Sequence, residues 1–198
     1  VSLWINACVR DYPLNFLDHH IKCGNSLVGA TSKLINEGIR TEAFEAIEGD
    51  DKALSRVIKA RNRQEQSGQI SIFNSSVSLK KIEVPYLDTE EITPEHVHEK
   101  EENYICFRNS SCFIHKKLVA DMWTSTFYWE IKEGELLPPT YATLENFKAD
   151  INSVDPAIIN KVKQIADDYK FFHWHLEFPE VFDREEKGFD CILGNPPW

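Results

Sequence analysis

The chain has 198 residues, of which 42% are hydrophobic, so it is long enough to bury the core of one domain. Its 22 basic and 32 acidic residues give a formal net charge of −10, which argues against strong DNA binding by this chain itself. No apolar run reaches membrane-spanning length, and the five cysteines contain no Cys-x-x-Cys pair, a pattern typical of a cytoplasmic protein.

The first 30 residues predict a helix, a strand and a turn. Residues 1–11 have the amphipathic pattern of a helix, which Pro13 ends, and residues 18–23 predict a short strand. Gly24 and Asn25 then close the strand. A Gly-Asn pair in this place is commonly a simple turn, because both residues tolerate positive φ.

Residues 31–170 predict mostly helices. Apolar residues recur near helical spacing within residues 41–66, and residues 112–130 carry a broad apolar face. Thr93 and Asp155 each precede a proline and predict the starts of two more helices. The stretch is far longer than a simple strand–helix–strand crossover needs. We therefore expect a long, mostly α-helical insertion whose function the sequence leaves open.

An apolar run and a rigid loop follow the insertion. Residues 189–193 predict a buried strand, and after Gly194 the residues 195–198 read Asn-Pro-Pro-Trp. Ligands of open α/β sheets bind beyond the carboxyl ends of the strands. Residues 195–198 are therefore the candidate catalytic loop.

The chemistry of this loop suits methylation of an exocyclic amino group on a nucleobase. The amino nitrogen of adenine is a poor nucleophile, and two acceptors aimed at its hydrogens would favour a tetrahedral, nucleophilic geometry. Asn195 offers a side-chain oxygen, and Pro196, held extended by Pro197, offers a carbonyl without a competing N–H. Trp198 supplies a flat face for an extruded base. The simpler interpretation is a polyproline turn.

Residues 14–30 and residues 172–198 stand out as two distinct blocks, and residues 119–124 form a third, fainter one. These blocks resemble the adenine-specific DNA methyltransferases of bacterial restriction-modification and phage-defence systems. The similarity is greatest to the large single-chain type IIG and BREX-type enzymes, and the blocks follow one another in the family order. A chance match of the last four residues would not explain that order.

The resemblance implies a Rossmann-like α/β fold that binds S-adenosylmethionine. Residues 1–30 and 171–198 would belong to the methyltransferase core, and residues 31–170 would form the insertion. In this family the turn that contains Gly24, Asn25 and Ser26 lines the pocket for the adenine of the cofactor. Many relatives carry Asp at the position of Asn25, and asparagine can serve there because it also accepts hydrogen bonds.

The resemblance also implies direct methyl transfer to a flipped adenine in double-stranded DNA, with no membrane association. The eight glycines include no Gly-x-Gly pair, so the upstream cofactor turn of the family is absent from this sequence. We therefore expect an internal fragment of a catalytic domain, inactive on its own, whose DNA contacts and restriction or defence partners depend largely on other parts of the protein.

Three alternatives compete with this interpretation. His173 and His175 would share one face of a strand beside Glu177, as metal ligands can, but aromatic packing around Trp174 is the simpler explanation and we expect no metal. A helical interaction module could dock through its Pro-Pro-Trp sequence. A methyltransferase of the same fold could instead act on RNA or on a protein amide.

Overall fold

The computed structural model describes residues 12–69, 83–87, 89–186 and 188–194. Helices predominate in these ranges. Their bounds in chain order are α1 Ser32–Glu37, α2 Lys52–Gln69, α3 Pro94–Arg108, α4 Ser111–Ser125, α5 Tyr141–Ala149, α6 Pro156–Tyr169, α7 Trp174–Glu177 and α8 Pro179–Phe182. Two short 3-10 helices span Thr41–Phe44 and Thr126–Tyr128.

The Rossmann-like α/β sheet predicted from the sequence is wrong for this structure. The described residues are helical and form no sheet; an isolated parallel bridge pairs Asn25 with Phe171. Residues 18–23 turn instead of extending, since the amides of His20 and Ile21 both donate to the carbonyl of Leu17, at 2.8 and 3.0 Å. Local hydrogen bonding has therefore replaced the expected strand pairing.

The second predicted strand, residues 189–193, is also wrong. The chain there is irregular, and Ile192 and Leu193 are 84% and 92% exposed. A strand is stable only when a neighbouring strand pairs its backbone groups. Its apolar composition predicted burial, but nothing in the described ranges packs over these two side chains.

Two predicted helix starts are confirmed. The side chain of Thr93 accepts a hydrogen bond from the amide of His96 at the start of α3. Asp155 caps α6 in the same way, with its Oδ1 2.8 Å from the amide of Ala157. Each cap satisfies a backbone donor that has no partner within the helix, so these starts are fixed by local chemistry.

The helical pattern of residues 41–66 corresponds to two elements. The 3-10 helix Thr41–Phe44 comes first, and Gly49, with a φ of 99°, lies in the turn before α2. Asp51 begins α2 by accepting from the amides of Ala53 and Leu54, at 2.8 and 3.0 Å. The apolar residues near helical spacing in this range are therefore divided between two helical elements.

Helix α4 lies at the centre of the fold and contacts α1, α3, α5, α6 and α7. Residues 118–125 of this helix are all buried, including Val119 and Met122, which have no exposed surface. Burial on all sides supplies the hydrophobic stabilisation of the core. The same helix places a charged residue, Asp121, in the interior, where the residue is 2% exposed.

Two sequence predictions lie outside the described residues. They are the helix over residues 1–11 and the candidate catalytic loop, residues 195–198. Among the helices that the structure describes, none is both long and apolar enough to cross a membrane.

Candidate functional site

The turn over residues 24–30 lies against residues 170–174, and we call it the candidate turn. The amide of Asn25 donates to the carbonyl of Lys170 at 2.7 Å, and the amide of Phe172 donates to the carbonyl of Val28 at 2.8 Å. These bonds surround the bridge between Asn25 and Phe171. The two sequence blocks, which are far apart along the chain, therefore meet in one place.

The glycines of the candidate turn permit this close approach. A Cβ atom on Gly29 would lie 2.0 Å from the carbonyl oxygen of Phe172, and one on Gly24 would lie 2.7 Å from its Cδ2. Neither Gly24 nor Asn25 has a positive φ. The tolerance of both residues for positive φ is therefore not used here, and the need for glycine comes from space.

Asn25 and Ser26, the proposed cofactor residues, are exposed, as is Gly24. The Oδ1 atom of Asn25 accepts from the amide of Leu27 at 3.2 Å, so the side chain stabilises its own turn. Its Nδ2 atom makes no hydrogen bond with any residue that the structure describes. The amide therefore holds the turn in shape and still presents a donor to solvent.

Trp174 connects the candidate turn to the segment that leads toward the catalytic loop. Its indole nitrogen donates to the carbonyl of Ser26 at 2.9 Å. Its ring lies 5.5 Å from the ring of Phe189 and is stacked on Phe178 at 5.8 Å. The sequence interpretation treated Trp174 as packing only and missed this contact, which joins two residues 148 positions apart.

His173 joins the candidate turn to α4. Its Nδ1 accepts from the amide of Ala30 at 3.0 Å, and its Nε2 lies 2.9 Å from Oδ1 of Asp121. The second oxygen of Asp121 pairs with Lys117 at 2.7 Å. His173, Asp121 and Ala30 are each 2% exposed. The one weak sequence signal near Asp121 is the faint similarity over residues 119–124.

The metal arrangement considered for His173, His175 and Glu177 requires a strand, but α7 occupies that position. The two imidazole centres lie 6.5 Å apart, and the Glu177 carboxylate pairs with Arg108 at 2.8 Å instead. Within the described ranges, no group of three or more His, Cys, Asp or Glu side chains is placed to hold a metal.

Two histidines near the site have low pKa values. Burial, with a smaller contribution from His173, lowers the pKa of His175 to about 4. Burial, followed by the nearby His20 and Lys100, lowers the pKa of His19 to about 4. The Nδ1 atoms of His19 and His175 are buried without a hydrogen-bond partner. Both imidazoles are therefore neutral at pH 7.

A family model described as Eco57I restriction-modification methylase matches residues 2–198. The match covers nearly all of the chain, so the chain belongs to this family. No curated protein and no solved structure matches it. The coarse part of the resemblance, a methyltransferase of a restriction-modification system, is thereby confirmed.

Proposed function

We propose that this chain is part of an adenine-specific DNA methyltransferase that uses S-adenosylmethionine in restriction-modification or another phage defence. Family membership over residues 2–198 is the observation that carries the proposal. The direct contact between the candidate turn and residues 170–174 supports it, because the chain brings its two most family-like blocks together.

In this proposal the candidate turn binds the adenine end of the cofactor. Asn25 presents an exposed amide, and Leu27 beside it is 93% exposed. A purine has a flat apolar face and a polar edge, so a neighbouring amide and aliphatic side chain fit its chemistry. Ser26 adds a hydroxyl group, and Gly24 lets the turn pack closely against Phe172.

The catalytic loop then binds the target base. Asn195 and the carbonyl of Pro196 accept the two hydrogens of the adenine amino group, which raises the nucleophilicity of its nitrogen. Pro197 holds the loop extended, and Trp198 stacks on the flipped base. S-adenosylmethionine supplies an electrophilic methyl group, and the amino group loses one proton to solvent when it is methylated. Holding the two reactants in line supplies much of the acceleration.

The test measures how much labelled methyl group the full-length protein transfers from S-adenosylmethionine to unmethylated bacterial DNA. We expect label in adenine, and a loss of about 100-fold or more in Asn195→Ala because one acceptor of the amino group is gone. Asn36→Ala is the matched control, since Asn36 is exposed on α1 and its side chain makes no hydrogen bond with any residue that the structure describes.

Two other outcomes would replace this proposal. Label in RNA or in protein, with none in DNA, would retain the methyltransferase chemistry and change its substrate. Folded protein that transfers label to none of the three would favour the interaction module. Equal activity of Asn195→Ala and wild type would show that the Asn195 side chain takes no part in catalysis.

A further inference from the structure

We propose that His173 is a positioning residue for the candidate turn. Through its two ring nitrogens it fixes the backbone of Ala30, and with it the cofactor residues of the turn, against the central helix α4. This inference rests on the proposed function of the turn and adds the residue that sets its position.

The two hydrogen bonds of the imidazole define one tautomer. Because the Ala30 amide is a donor, Nδ1 of His173 must be the unprotonated acceptor, at 3.0 Å. Nε2 therefore carries the proton and donates it to Oδ1 of Asp121, at 2.9 Å. Lys117 occupies the other oxygen of Asp121, so the carboxylate is held from both sides. The orientation of the ring follows from these three contacts.

The end of the candidate turn fits this ring closely. A Cβ atom on Gly29 would lie 3.2 Å from Nδ1 of His173, in addition to its clash with the Phe172 carbonyl. The Ala30 amide is buried, and a buried backbone donor must find a partner. His173 supplies that partner from a segment 143 positions away. Moving the ring would therefore release the end of the turn.

The two ring nitrogens can be tested separately. In His173→Asn the side-chain oxygen takes the place of Nδ1 and can still accept from Ala30, whereas the contact with Asp121 is lost. In His173→Gln the longer amide reaches the place of Nε2 and can still donate to Asp121, whereas the acceptor for Ala30 is lost. Each variant leaves one buried partner unpaired, so both lose thermal stability.

The measurements are the Kd for S-adenosylmethionine by calorimetry, the KM for DNA, and the Tm, all on the full-length protein. We expect His173→Gln to weaken cofactor binding by about tenfold, as loss of one hydrogen bond does, and His173→Asn to stay within about threefold of wild type. The KM for DNA should stay unchanged in both variants. A purely structural role would instead lower cofactor binding equally in both, in step with Tm.

A measurement on the wild type covers the case in which both variants fail to fold. Nitrogen NMR of labelled histidine should show His173 with an unprotonated Nδ1 and a protonated Nε2, and both signals should shift when S-adenosylmethionine saturates the protein. The opposite tautomer, or signals unchanged at saturation, would overturn the inference.

Cofactor binding and DNA methylation, measured on wild type and His173→Gln, distinguish a wrong positioning role from a wrong proposed function. Wild-type protein that binds no S-adenosylmethionine overturns both. Wild-type protein that binds it and methylates DNA, together with a His173→Gln variant of unchanged cofactor affinity, overturns the positioning role alone.

Discussion

The indole nitrogen of Trp174 lies 2.9 Å from the carbonyl oxygen of Ser26, and the same ring lies 5.5 Å from that of Phe189. One side chain thus contacts both the candidate turn and the segment that precedes residues 195–198. In the proposed function a methyl transfer requires the cofactor and the target amino group to be held in line, so we expect a side chain in this place to affect their relative position.

Trp174→Phe keeps an aromatic ring and removes the N–H donor to Ser26. We expect a loss of about 1 kcal/mol in the free energy of unfolding and weaker binding of S-adenosylmethionine, because the turn loses one of its supports. Denaturant unfolding and calorimetry measure the two effects.

Trp129→Phe is the matched control for this change. Its indole nitrogen also donates to a backbone carbonyl, that of Leu136 at 2.8 Å, and therefore not to the candidate turn. We expect a similar loss of stability with unchanged cofactor affinity. Equal cofactor affinity in the two variants would show that Trp174 does not support the site.

Gly29→Ala tests the contact between the candidate turn and residues 170–174. The added methyl would lie 2.0 Å from the Phe172 carbonyl oxygen, which belongs to the backbone and cannot rotate away. We expect a loss of about 2 kcal/mol or more in the free energy of unfolding.

The same substitution at Gly68 should have the opposite sign. Gly68 lies within α2, no atom of the described residues lies in contact range of an added Cβ, and alanine favours a helix by about 0.5–1 kcal/mol over glycine. Urea denaturation of the two variants beside wild type gives both values. A Gly29→Ala variant as stable as wild type would contradict the packing of the turn.

Asn25 is tested by two substitutions of its side chain. Asn25→Asp keeps the acceptor for the Leu27 amide and an acceptor for the cofactor, so we expect near-normal binding of S-adenosylmethionine. Asn25→Ala loses both, and we expect the Kd to rise by about tenfold. An unchanged Kd for S-adenosylmethionine in Asn25→Ala, measured by calorimetry on folded protein, would show that the Asn25 side chain does not bind the cofactor.

Stability should fall when the pH drops below about 6.5. Both His19 and His175 have pKa values lowered from 6.5 to about 4, so between these pH values the unfolded chain binds protons that the folded chain does not. The free energy of unfolding should then fall by up to about 1.4 kcal/mol per pH unit for each histidine. Urea denaturation between pH 7 and pH 4 measures the slope.

The double variant His19→Phe/His175→Phe removes both titrating groups and keeps aromatic rings in their places. Its unfolding free energy should change less over the same pH window than that of wild type. An identical slope in the two proteins would assign the pH dependence to other groups.

Some helix starts could be predicted because their capping residues are local in sequence. The strands could not, because a strand forms only when a distant segment pairs with it. Thr93 and Asp155 mark helix starts because a cap needs only residues two or three positions away. A strand needs a neighbour elsewhere in the chain, so residues 18–23 and the apolar run 189–193 suggested strands that the described residues do not form.

The candidate site follows the same rule. Family-like residues located the candidate turn, because the motif is contiguous in sequence. The partners of that turn, Asp121 and His173, are separated by 52 positions, and nothing local in the sequence shows that the two side chains meet. A buried histidine has the same sequence character whether it packs, binds a metal or holds a backbone amide.

The buried carboxylate of Asp121 also limits how the length of the chain can vary. Removing one residue between Ser110 and Asp121 would rotate the rest of α4 by about 100°, turning the carboxylate away from His173 and an apolar side chain toward it. We therefore expect insertions and deletions between Ser110 and Asp121 to be poorly tolerated, in contrast to those in the loops on either side of α4. The rotation of α4 about its own axis thus decides where the Asp121 carboxylate lies. Through His173, it also decides where the turn at Ala30 lies.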